Sequence, residues 1–102
     1  MTRPVRWSRA ALDHLKEQVA FIAIDNREAA RKVAARINET ALALGERAVG
    51  RPGRVSGTSE KRVIGLPYVI AYSVSDRGDG EVIYILRVIH TARDWPNERW
   101  PT

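Results

Sequence analysis

The hydrophobic period of this chain changes once, and that change limits the folds open to it. Up to about residue 45 apolar side chains recur every three or four positions; from residue 60 they alternate or run together. Helix-period and strand-period patterns cannot exchange places, so the main helical segment must precede the main run of strands. Ser8 can cap a first helix, whose stripe is Leu12, Leu15, Val19 and Ile22. "DNRE" at 25–28 interrupts that stripe, and Asp25 with Glu28 has the spacing of a capping box. Ala30, Val33, Ala34, Ile37, Ala41 and Leu44 form a second stripe that ends near Gly45. The break between the stripes is short, which implies an antiparallel helical hairpin.

Strand signals flank the hairpin. "PVRW" at 4–7 offers a short strand with Val5 and Trp7 apolar. Segments 60–65, 66–74 and 81–90 read as three more, the last so rich in β-branched residues that it belongs at the centre of a sheet. "SDRGDG" at 75–80 joins the final two as a hairpin loop, and Pro67 stands at a strand start, where its missing donor does no harm. The expected architecture is α+β in the order β-α-α-β-β-β: a helical hairpin packed on a small antiparallel β-sheet. At 102 residues, 1–102 is read as a single domain.

Composition removes several function classes. No segment approaches the roughly 20 apolar residues of a membrane span. With no cysteine there is no disulfide, thiolate metal site or cysteine nucleophile, and a cytoplasmic location is the simplest reading. Two histidines far apart in the chain, His14 and His90, make a metal centre an unpromising reading, and no cofactor is called for. The net charge of +5 favours an anionic partner, either nucleic acid or an acidic protein segment.

The segment "GRPGRVSGTSEKRVIG" at 50–65 invites comparison with a phosphate loop. It fails: a lysine must follow the last glycine and a helix must come next, whereas here Thr58 and a strand follow. No G-x-S-x-G turn exposes a serine, and the acids are dispersed. What remains is a set of cations: Arg51, Arg54, Lys61, Arg62, Arg87 and Arg93, with His90 at a strand end and Glu60 nearby. For most of these arginines solvated charge is the bland alternative. Arg87 differs, because an arginine inside "VIYILRVI" requires a partner wherever it is buried. Antiparallel pairing would let these cations share one sheet face. They could then hold an RNA phosphate while His90 or Glu60 moves a proton, or dock a carboxylate-rich protein surface.

"GRPGRVSGTSEKRVIGLPYVIAYSV", followed by "VIYILRVIHTARDWP", resembles the RelE/ParE superfamily of toxins from type II toxin–antitoxin systems. The N-terminal "WSRAALDHLKEQVAFIAIDNREAARKVAARI" is similar to that superfamily's helical hairpin, so the resemblance spans nearly the whole chain. It implies one of two activities. RelE-like members cleave mRNA on the ribosome; ParE-like members poison DNA gyrase. Val69 stands where cleaving members often carry an arginine, and Thr91 where a tyrosine often follows the histidine. The departures favour a ParE-like toxin that is not an enzyme, with Arg51, Arg54, Lys61, Arg62, Arg87 and Arg93 contacting the target. The alternative is a ribosome-dependent endoribonuclease working through Arg62, Arg87, His90 and Arg93. Either implies a hetero-oligomer with an acidic antitoxin, for which Trp7 and Phe21 are candidate apolar anchors.

Overall fold

The computed structural model describes residues 3–47, 51–53, 57–76, 78 and 80–92. Strand β1 (Val5–Trp7) leads into helix α1 (Arg9–Asp25) and helix α2 (Arg27–Glu46), followed by β2 (Arg51–Pro52), β3 (Ser59–Val63), β4 (Tyr68–Asp76) and β5 (Glu81–His90). The sheet runs β1-β5-β4-β3-β2. The three long C-terminal strands pair antiparallel as expected. Beside them β1 joins β5 in parallel, making the sheet mixed, and β2 adds two residues from the glycine-rich segment.

Local chemistry sets the helix ends. The Ser8 hydroxyl accepts from the Ala11 amide at 3.0 Å, as its position predicts. At the second helix the capping residue is Asn26, not Asp25: its side-chain oxygen accepts from the Ala29 amide at 3.0 Å. The same residue closes α1, its N–H donating to the Ile22 carbonyl at 2.9 Å. One asparagine in extended conformation therefore ends one helix and starts the next, which keeps the hairpin tight.

The core lies between the hairpin and the sheet. Ile37, Ala41 and Leu44 of α2 and Ala11 of α1 meet Val63, Tyr68, Ile70, Tyr72, Ile83, Ile85 and Val88. Strict alternation would place Val88 on the far side from Ile83 and Ile85. A bulge resolves this: Ala71 pairs with Arg87 and Tyr72 with Ile85, so Leu86 is the extra residue. The bulge shifts parity and returns Val88 to the helix side, opposite Ile70. On the other face Ala71 and Ile89 form a second buried pair, with Val69 and Glu60 buried as well. Burial on both faces explains why "YVIAY" and "VIYILRVI" read as nearly continuous apolar runs.

Two positions make this packing testable. Gly45 sits where a Cβ would lie 2.5 Å from the Arg3 carbonyl oxygen and 3.0 Å from Val5 Cγ2. The Arg3 amide donates to the Gly45 carbonyl at 2.7 Å, so the two backbones cannot separate cheaply. Gly45→Ala should therefore lower stability by about 1–3 kcal/mol in a denaturant titration. Tyr72 is the second. Burial pushes its phenol above the ordinary value, opposed in part by a hydrogen bond with the Ser59 side chain. A raised folded pKa means that its stabilising effect is complete below the unfolded value near 10.0 and is lost as pH climbs through the folded one. Stability should fall on alkaline titration above that point, and Tyr72→Phe should flatten the fall.

Candidate functional site

Register decides which of the predicted site residues can meet. Residues opposite one another on paired strands share a face, and neighbours along a strand alternate. Arg51, Glu60, Ala71 and Arg87 occupy successive positions of one cross-strand row. Arg62, Val69 and Ile89 form the adjacent row on that same face. Lys61 belongs to the opposite face with Ile70 and Val88, toward the helices. So does His90, in the row of Tyr68 and Val63. Arg62 and His90 thus stand on opposite sides of the sheet. Arg54 and Arg93 lie outside the described residues.

His90 is held locally. Its ring meets that of Tyr68 edge-on, with centroids 5.2 Å apart and planes at 87°. Its Nδ1 accepts from the Ala92 amide at 3.2 Å, which leaves the proton of the neutral ring on Nε2. The Tyr68 hydroxyl donates to Gln18 Oε1 at 3.4 Å, linking this end of the sheet to α1.

Arg87 finds its partner on α1. Its Nη2 lies 3.2 Å from His14 Nε2. A guanidinium can only donate, so Nε2 accepts and the neutral imidazole carries its proton on Nδ1. This contact spans 73 positions in sequence. His14, Glu17, Gln18 and Arg87 line a cleft of about 220 Å³ between α1 and β5. A larger groove of about 400 Å³ opens between α2 and β3, with Arg36, Arg47, Lys61 and Arg62 among its lining residues. The cations therefore divide between two clefts. Arg36 of α2 and Arg47, the residue that caps its C-terminus, escape a sequence reading because arginines along a helical stripe and its end ordinarily mark a solvated face. Only their position across from β3 singles them out.

Of the candidate apolar anchors, Trp7 is half-buried and packs against the core, whereas Phe21 is 59% exposed. Near Phe21 in sequence, Ile24 is 79% exposed, so the end of α1 presents an apolar surface. Among the described residues no group of three His, Asp or Glu converges as a metal site, and no helix is long and apolar enough to cross a membrane.

The family model for the "ParE toxin of type II toxin-antitoxin system, parDE" matches residues 5–95. The chain belongs to the ParE toxin family. Within this ParE-family chain the match runs from β1 past the end of β5. It is 40% identical over 93 residues to "Putative toxin Y4kP" of Sinorhizobium fredii (strain NBRC 101917 / NGR234), covering 90% of this chain and 92% of that one. Among solved structures it is similar to the "Chromosomal ParDE TA system from P. aeruginosa", with a TM-score of 0.78, 24% identity, and coverage of 87% and 96% of the two chains. The "YoeB/ParE toxin from Agrobacterium tumefaciens" is more distant, at a TM-score of 0.57 and 14% identity over 85% and 96%. These two likenesses establish the fold: a helical hairpin on a mixed sheet.

The two arginines of the sheet should respond differently to truncation. Arg62 is exposed. Arg62→Ala should change stability by no more than about 0.5 kcal/mol. Arg87 is half-buried with its guanidinium against His14, so Arg87→Ala should cost about 1–3 kcal/mol. Thermal unfolding of the two variants beside the wild type checks this.

Proposed function

We propose that this toxin acts by binding DNA gyrase and holding it on cleaved DNA, without cutting RNA, and that a cognate antitoxin neutralises it. The observation that carries the reading is the separation of Arg62 and His90 across the sheet. A nuclease centre must bring a phosphate-binding cation and a proton-moving group to one bond, within about 3 Å of the reacting atoms. Here a sheet buried on both faces stands between the two groups. His90 is engaged by Tyr68 and Ala92, and Arg87 by His14, as befits residues that hold the strand end and α1 in place. Membership of the ParE toxin family points the same way.

Cations that grip without breaking bonds need no aligned acid and base. They need a rigid platform and a complementary anionic surface. Arg62 and the register position of Arg51 supply one face of such a platform. The net charge of +5 would also speed encounter with an acidic antitoxin, whose disordered segment folds as it binds.

A paired assay tests the reading. Purified protein incubated with gyrase, ATP and supercoiled plasmid should accumulate linear DNA. The same protein added to translating ribosomes should leave the message intact. Cut message with normal supercoiling would establish the endoribonuclease alternative instead.

A further inference from the structure

The cleft between α1 and β5 is lined by His14, Glu17, Gln18, Arg87, Val88 and Ile89, a mixture that neither the core nor the proposed gyrase contact requires. Two nitrogen groups from different elements meet in it, Arg87 Nη2 lying 3.2 Å from His14 Nε2. Val88 and Ile89 are buried, so one wall of the cleft is apolar. Charge–charge attraction is screened less against such a wall than in open water. His14 and Arg87 are half-buried, whereas Glu17, the one acid of the lining, is exposed.

We infer that this cleft is a binding site for a single phosphate-type oxyanion, and that filling it loads a proton from solvent onto His14. In the contact described above the neutral ring accepts from Arg87 through Nε2. A protonated ring can only donate, and it then stands as a second cation beside the guanidinium. An oxyanion between them reverses that balance, because both groups donate to it and each gains a charge-assisted hydrogen bond. A tetrahedral oxyanion has acceptors in more than one plane and suits donors that arrive from two elements. The acceptors of a carboxylate are coplanar and match the fork of one arginine. The cleft holds about 220 Å³, enough for such a group. It is too small for a whole nucleotide, since pockets for ligands of that size begin near roughly 300 Å³.

The other titratable groups around His14 are few among the described residues. On its own helix Glu17 lines the same cleft, favouring the charged ring while opposing the anion; Asp13 and Lys16 are exposed. From β5, His90 lies against Tyr68, whose hydroxyl meets Gln18, and Glu81 pairs with Arg3 at the far end of the strand. The charged residues of α2 are all exposed, and none lines the cleft. The site is separate from the gyrase contact proposed above.

The test is an NMR titration of the full chain with sulfate at constant ionic strength, following the His14 ring signals. Sulfate stays dianionic across the range used, whereas phosphate changes its own charge there. Affinity should rise roughly tenfold from about pH 7.5 to about pH 5.5, as the protonated fraction of an ordinary imidazole does. His14→Gln should leave weak binding that no longer depends on pH. Arg87→Gln should weaken binding roughly tenfold or more. Should that variant unfold, Glu17→Gln at an exposed position carries the test: at about pH 5.5, with the ring already charged, it should tighten binding about two- to fourfold. Arg31→Gln removes an exposed cation of α2 outside the cleft and should alter affinity by no more than about twofold. A short oligothymidylate separates two sources of the oxyanion. If it displaces bound sulfate, the site takes a backbone phosphate; if it does not, the site takes a free anion. Wild-type affinity that ignores pH, equal losses from Arg31→Gln and Arg87→Gln, or no gain from Glu17→Gln would overturn the site.

Discussion

The pairing of β4 with β5 is the interaction on which the rest of this fold depends. These strands run side by side from Tyr68 opposite His90 to Asp76 opposite Glu81. The helix-facing side of this ladder, with Ile70, Tyr72, Ile83, Ile85 and Val88, is the floor on which α1 and α2 pack. Its other side is also buried at Val69, Ala71 and Ile89. Remove the ladder and the helical hairpin has nothing to cover, because its stripes are too short to form a core alone. The bulge at Leu86 belongs to the same constraint. It lets one strand bury apolar residues on the helix side along its whole length while placing Arg87 where the guanidinium reaches His14.

From this rigid centre the sheet grades outward into charged surface. Both strands adjoining the centre are short and serve different ends. β1 seals one side of β5 in parallel and ties the N-terminus to the end of α2 through Arg3 and Gly45. β3 closes the other side of β4, and among the described residues its own outer edge is paired only at Ser59 and Glu60, near Arg36 of α2. Apolar packing is thus spent at the centre and charge is kept at the margin, the arrangement expected of a small domain that binds macromolecules by complementarity.

The elements themselves were readable in the sequence because their signals are local. Ser8 sits one position before a three-and-four stripe, and 81–90 is a β-branched run whose bounds coincide with those of β5. Helix ends set by competing caps were less readable. Asp25 and Asn26 are both good capping residues, and only the chain direction needed to close α1 selects Asn26. The parallel pairing of β1 and the bulge at Leu86 left no sequence mark, since both arise from how distant segments must fit. The residues of the candidate site could be picked out in the sequence, but their arrangement could not. Cations on the later strands stood out, but whether neighbours share a face depends on strand parity, and the bulge alters that parity. His14 looked like an unremarkable helix residue until the fold brought it to Arg87.

The claim that binds these observations is physical: β4 and β5 form a rigid centre, and among the described residues no strand pairs with the outer edge of β3 beyond Glu60. Hydrogen exchange of the free protein, resolved to individual amides, tests it most directly. The account predicts that amides within 69–74 and 83–89 exchange only on global unfolding, while outward-facing amides within 61–63 exchange through local opening and are much faster. Protection at 61–63 as deep as that at the centre would contradict it, as would fast exchange throughout β4 and β5.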